Sequence, residues 1–186
     1  MSKLPMNCWI MAACLISLGG LVWAISPFEK QQLDNFKVST LKGLPGVSVA
    51  VKIARDDPNT LRLLKEQDLQ KNVELALQTA GIEVLRPTSD VGLYIVLVNV
   101  VSTGKDTLTC AIHVQSSLMQ IVNLARDPAI KTEAKTWPAL SEATFGVVPL
   151  GMAKRMITQA VKDQAAQFVE DYKAANPKQN LPDSNK

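Results

Sequence analysis

The clearest period in the chain is the alternation of Val47, Val49, Val51 and Ile53 with Ser48, Ala50 and Lys52, which predicts a strand with one apolar face. Gly43, Pro45 and Gly46 are turn residues that lead into it. After a break at Asp56, Asp57, Pro58 and Asn59, the apolar residues Leu69, Val73, Leu77 and Ala80 recur at helical spacing, with Ala76 beside them. That spacing gathers them on one stripe of a helix, opposite Glu66, Asp68, Lys71 and Glu74, and Gly81 is where a left-handed cap stops it. Residues Ile82 to Leu85 then predict a short strand closed by Pro87.

From Val91 the character changes, because Leu93, Ile95, Leu97 and Val101 fill one side of an extended segment while Tyr94, Val96, Val98 and Val100 fill the other. Apolar residues on both sides predict a central strand covered on both faces. A polar turn over Ser102, Thr103, Gly104, Lys105 and Asp106 leads to a long strand from Leu108 to Leu124, whose wetter side carries Thr109, His113, Gln115, Ser117 and Asn123. Arg126, Asp127 and Pro128 end it, Lys131 to Trp137 resumes the alternation, and residues 138–149 read as a loop. The last element is a helix from about Leu150 to Asn176, with Ala153, Ile157, Val161, Phe168 and Tyr172 on one stripe. The fold class is therefore α+β: a mainly antiparallel sheet of four to five strands with two helices packed on it, in the order β-α-β-β-β-β-α.

The leading residues add a compartment. Lys3 precedes an apolar run from Cys8 to Ile25 that holds no charged residue, and Val22 with Ala24 match a small-residue cleavage site, so residues 1–25 read as an export signal. The run sits at the length border of a membrane-spanning helix, which needs about 20 residues, so a retained anchor over residues 8–25 is a second reading. Lipidation at Cys14, after Ala12 and Ala13, is a third. All three carry the rest of the chain across a membrane, to the periplasm or cell envelope. Residues 26–42 then read as a linker, 43–177 as a single domain and 178–186 as a disordered polar tail.

Charge argues against a polyanionic partner. The chain has 20 basic and 17 acidic side chains, and losing residues 1–24 removes only Lys3, leaving 19 against 17 and a balance of +2. The basic residues are scattered, so no nucleic acid is expected. Of the three cysteines, Cys8 and Cys14 lie in the export segment, and Cys110, alone in the domain, reads as a buried small hydrophobe.

Chemistry is sparse. The single histidine, His113, is three positions from Cys110 on one strand, and odd spacing sends the two side chains to opposite faces. No metal-ligand spacing or phosphate-cradling glycine loop is present in the sequence, so neither cofactor nor metal is expected and no catalytic residue is assigned. What remains is surface: His113, Gln115 and Ser117 on the wetter face, Trp137 beside Pro138, and Phe145 in the segment after it form the candidate partner or ligand surface.

From Gly46 to Pro177 the chain resembles a group of small exported bacterial proteins with no assigned activity. The resemblance is carried by VELALQTAGIEVL, by LYIVLVNV, by a long strand ending LARDP paired with one ending KTW, and by a helix containing QFVEDY. It implies an α+β domain and no particular functional residue. The expectation is thus a non-enzymatic envelope protein that binds another protein or assembly and meets a membrane only through an uncleaved N-terminus. The alternative is a carrier of an apolar or amphiphilic ligand held between the sheet and the last helix, near Met152, Met156 and Phe168.

Overall fold

The computed structural model describes residues 35–56, 62, 64–87, 92–103, 108–138 and 144–177. The expectations for the export segment, the first part of the linker and the polar tail fall outside those residues. A compact unit begins at Asn35. Its elements are β1 (Val47–Arg55), α1 (Glu66–Thr79), β2 (Gly92–Ser102), β3 (Thr109–Leu124), β4 (Asp127–Pro138), β5 (Thr144–Pro149) and α2 (Leu150–Ala175).

The sheet is mixed, where the pattern predicted a mainly antiparallel one. β1 and β2 are parallel, in register from Val47–Gly92 to Arg55–Val100, while β3 is antiparallel to β2, β4 and β5. The reason is the crossover: a chain that leaves β1, passes through α1 and returns to the same end of the sheet lays its next strand parallel to the first. Residues 82–85, expected to be a strand, contribute one bridge between Val84 and Val47. Val47 N–H donates to Glu83 O at 3.0 Å and Leu85 N–H donates to Val47 O at 2.9 Å, after which the segment ends at Pro87, which has no N–H to continue a ladder.

β3 is long enough to hold two partners on one side. Its second half, Ser117 to Leu124, takes β4, and its first half, Thr109 to Val114, takes β5. β4 and β5 therefore lie one behind the other along the same side of β3. The expected loop over 138–149 is in fact strand over Thr144–Pro149: Phe145 and Val147 alternate with Gly146 and the buried Val148, a period that Gly146 and Pro149 had masked.

Both helices pack on one face of this sheet. That face carries Val49 and Val51 from β1, Tyr94, Val96, Val98 and Val100 from β2, and Cys110, Ile112, Val114 and Leu118 from β3, all buried. α1 adds Leu69, Val73 and Leu77, and α2 adds Ile157, Val161, Ala165, Phe168 and Tyr172. α1 ends as the sequence predicts, with Gly81 at φ 80° and Ile82 N–H donating to Leu77 O at 2.9 Å. Gln164 enters the core with its polarity matched: Ser116 Oγ donates to Gln164 Oε1 at 2.6 Å, and Gln164 Nε2 donates to Val114 O at 3.0 Å.

The residues just before β1 are part of this packing. Residues 35–39 are helical and Leu41 is buried. Asn176 clasps the segment to the end of α2: its Nδ2 donates to Leu41 O at 3.0 Å and its Oδ1 accepts from Gly43 N–H at 2.8 Å. Tyr172 OH donates to Leu44 O at 2.8 Å.

Candidate functional site

On the second face of the sheet Leu97, Asn99, Val101, Phe145 and Val147 are exposed, while Ser48 and Ser117 toward its other end are buried. β2 was expected to be covered on both faces; Tyr94, Val96, Val98 and Val100 are buried, but Leu97 is 37% exposed and Val101 51% exposed on the other side. The pattern was right about the apolar content of both sides. It carried no information about which side a helix would occupy, since both helices chose the same one.

Register places the sequence candidates on this open face. Asn99 pairs with His113 and His113 with Phe145, so the three side chains form a row across β2, β3 and β5. Val101, Ala111 and Val147 form the next row, and Leu97 beside Gln115 the row before. Phe145 is 74% exposed and Val147 63% exposed, at the edge where the patch is most prominent. The rings of His113 and Phe145 lie 6.5 Å apart. Asn99 Nδ2 stands 3.2 Å from His113 Nδ1, a bond in which the amide donates when Nδ1 carries no proton. Ser117 shares this face but is buried, opposite Ile95 in the ladder.

Trp137 belongs to the other side, a correction to its place in the candidate surface. It is fully buried, paired with Leu118, and packs edge-on against Phe168 with ring centroids 5.1 Å apart. Its Nε1–H donates to Asp171 Oδ2 at 2.8 Å. The same oxygen is 2.9 Å from Lys37 Nζ, and that ammonium sits 4.9 Å from the centre of the indole. Nothing in the alternation around Trp137 signals this; a partner 34 residues later on α2 does the fixing.

Leu97 and Val101 are the surface residues that the sequence reading left out, and Val147 lies in the same segment after Trp137 as Phe145. Their signal was present in the two-sided apolar alternation of β2 and in the Phe145–Val147 pair. Val101, Ala111, Val147 and Phe145 adjoin on this face, and Leu97 is set off from them by Asn99, His113 and Gln115.

Cys110 and His113 occupy opposite faces, Cys110 with the core and His113 in the open row. Burial, and secondarily the charge of Asp56, pushes the Cys110 thiol above its ordinary value, so it is a poor nucleophile. Among the described residues no group of three or more His, Cys, Asp or Glu is placed to hold a metal, and no helix is long and apolar enough to cross a membrane. Between the sheet and α2, the space around Phe168 is filled by Tyr94 and Trp137, at centroid distances of 4.8 and 5.1 Å, while Met152 and Met156 point outward and are exposed.

No family model matches this chain, and neither does any curated protein. Among solved structures, it is similar to a minor lipoprotein from Acinetobacter baumannii, at TM-score 0.36 and 10% identity over 72% of this chain and 93% of that one. It is also similar to rare lipoprotein B from Shewanella oneidensis, at TM-score 0.29 and 11% identity over 68% of this chain and 94% of that one. Those descriptions belong to the two proteins named, and no role is taken from them.

Proposed function

We infer that this is an exported protein of the cell envelope that acts by binding another protein through the open face of its sheet, without chemistry of its own. The observation that carries the reading is the set of apolar side chains Leu97, Val101, Phe145 and Val147 left exposed beside His113 and Gln115. An apolar face of this kind, with Phe145 and Val147 mostly exposed, gains by being covered. The compartment rests on the apolar run from Cys8 to Ile25. The absence of catalysis is argued from placement: the one histidine and the one domain cysteine are on opposite sides of the sheet.

The test is cross-linking followed by purification from gently solubilised envelopes of the organism. The expected outcome is one defined complex that is lost in Phe145→Asp with Val147→Asp and kept in Leu75→Asp, a substitution on the exposed outer side of α1. Recovery of the free monomer alone, or a complex indifferent to the Phe145 and Val147 changes, would refute the reading.

A further inference from the structure

Among the described residues the outer edges of the sheet are those of β1, β4 and β5, and two of them are blunted. Along β1, residues Glu83 and Leu85 bond Val47, and Glu66 Oε1 accepts the Ile53 N–H at 2.8 Å. Along β4, Lys131, Glu133 and Lys135 are exposed, and charged side chains on an edge oppose pairing with another chain. β5, with the sequence TFGVVP, carries no charge. Leu150 N–H donates to Leu108 O at 2.7 Å, which fixes the alternation of the ladder: Thr144, Gly146 and Val148 turn their N–H and C=O groups to β3, and Phe145 and Val147 turn theirs away from it.

This edge is apolar in both layers of the domain. Phe145 and Val147 are exposed on the open face. On the helix side, Met152 and Met156 are exposed on the stripe of α2 that continues through Ala160 and Asp163, two residues that line one cleft with Thr144 of β5. A lone peptide would meet the ladder and little of the helix layer, whereas a body that presents a strand beside a helix covers both. A second copy of this chain is such a body, and a two-fold axis brings the same surface to each side. Phe145, Val147, Met152 and Met156 with the β5 backbone expose roughly 500 Å² per copy, so a pair buries on the order of 1,000 Å², the lower bound for a specific interface.

We propose that β5 is a self-association edge, through which two copies of this chain pair their β5 strands antiparallel about a two-fold axis at Gly146, with Met152 and Met156 flanking the junction on the helix side. That axis sets Phe145 opposite Val147 of the second copy, and each such pair exchanges two hydrogen bonds through the outward N–H and C=O groups. Moving the axis to Val147 would set Phe145 opposite Pro149, which has no N–H to give. On the helix side Gly146 meets Gly146 of the second copy, and a Cβ there would find nothing within 4 Å in its own chain. The inference rests on the reading of Phe145 and Val147 as interface residues, and it leaves Leu97 and Val101 on the open face for the other protein.

The experiment is disulfide trapping of the full chain in maltoside micelles, with Cys8 and Cys14 replaced by alanine and micelles in large excess over protein. At a non-hydrogen-bonded antiparallel pair the Cα atoms lie about 4.5 Å apart, within disulfide reach, so Gly146→Cys should be recovered mostly as a linked dimer under mild oxidation. Thr144→Cys, roughly 14 Å from its own symmetry mate in this register, should stay unlinked. Without an added cysteine, light scattering should show the protein mass rising from one chain toward two as concentration climbs through the micromolar range. Val147→Pro removes an outward N–H and leaves the β3 ladder whole, so it should hold the mass at one chain, while Val147→Ala still pairs. Equal linking of Gly146→Cys and Thr144→Cys, a mass of one chain at every concentration, or equal pairing of the two Val147 variants overturns the proposal. None of these readouts uses the other protein, so such a failure leaves the capture from envelopes standing; Leu97→Asp, conversely, should weaken that capture and leave the Gly146→Cys link unchanged.

Discussion

Asp171 shows how a single side chain gathers several demands. It accepts from Trp137 Nε1, from Gln167 Nε2 at 3.0 Å and faces Lys37 at 2.9 Å. Asp171→Ala leaves the buried indole N–H without an acceptor and should cost about 1–3 kcal/mol, read from the urea midpoint. Lys37→Met keeps that acceptor but leaves the buried Asp171 carboxylate without its cation, from a pair whose side chains are each 12% exposed, so it should also destabilise, by up to about 3 kcal/mol. Two glycines are separated by the same kind of argument. A Cβ at Gly46 would stand 2.5 Å from Glu83 O, a backbone atom that cannot move without breaking its bond to Val47. At Gly81 a Cβ meets open space and the cost is only that of φ 80°. Gly81→Ala should therefore cost about 1–2 kcal/mol, and thermal melts should show Gly46→Ala as the more damaging of the two. Gly81 was legible in the sequence as a helix stop; the crowding at Gly46 was not, because it depends on a segment 37 residues away.

Elements whose period is local were legible along the chain. α1, α2, β2 and β3 follow the spacing of their apolar residues, and β1 follows its valines, because a stripe or an alternating side is a property of neighbours within about two turns or a few strand residues. β5 was hidden by Gly146 and Pro149, and 82–85 was over-read, since a strand exists only if a neighbour pairs with it along its length. The segment before β1 illustrates the same dependence. Its attachment is to the far end of the chain through Asn176 and Tyr172. Asn176→Ala should loosen it locally: amide exchange at Gly43 and Leu44 should speed up by tenfold or more, on the order of one lost pair of hydrogen bonds, while Val96 and Val98 in β2 remain protected. Unchanged exchange at Gly43 would show that Leu41 burial and the Tyr172 and Lys37 contacts hold the segment without Asn176.

For the molecule as a whole, two groups that the fold keeps neutral act on stability at alkaline pH. Burial raises the Cys110 thiol above its ordinary 9.0 and raises the Tyr172 hydroxyl above its ordinary 10.0. Below those ordinary values both states hold the protons and stability is unaffected by them; above them the unfolded chain ionises first, so stability falls as pH rises toward the folded values. Urea midpoints should decline as pH rises above about 9, and Cys110→Ala should flatten the first part of that decline. The amino-acid sequence by itself determined α1, α2, β1, β2 and β3, which sides of them are apolar, and that Cys110 and His113 face opposite ways, because each of these is dictated by spacing along a few residues. Only the tertiary structure decided that β1 and β2 run parallel, that both helices share one face and leave Leu97, Val101, Phe145 and Val147 open, that Trp137 turns inward to Asp171, and that Met152 and Met156 flank the same strand edge as Phe145 and Val147. Those outcomes depend on pairings between residues far apart in the chain, which are settled by the packing of whole elements against one another.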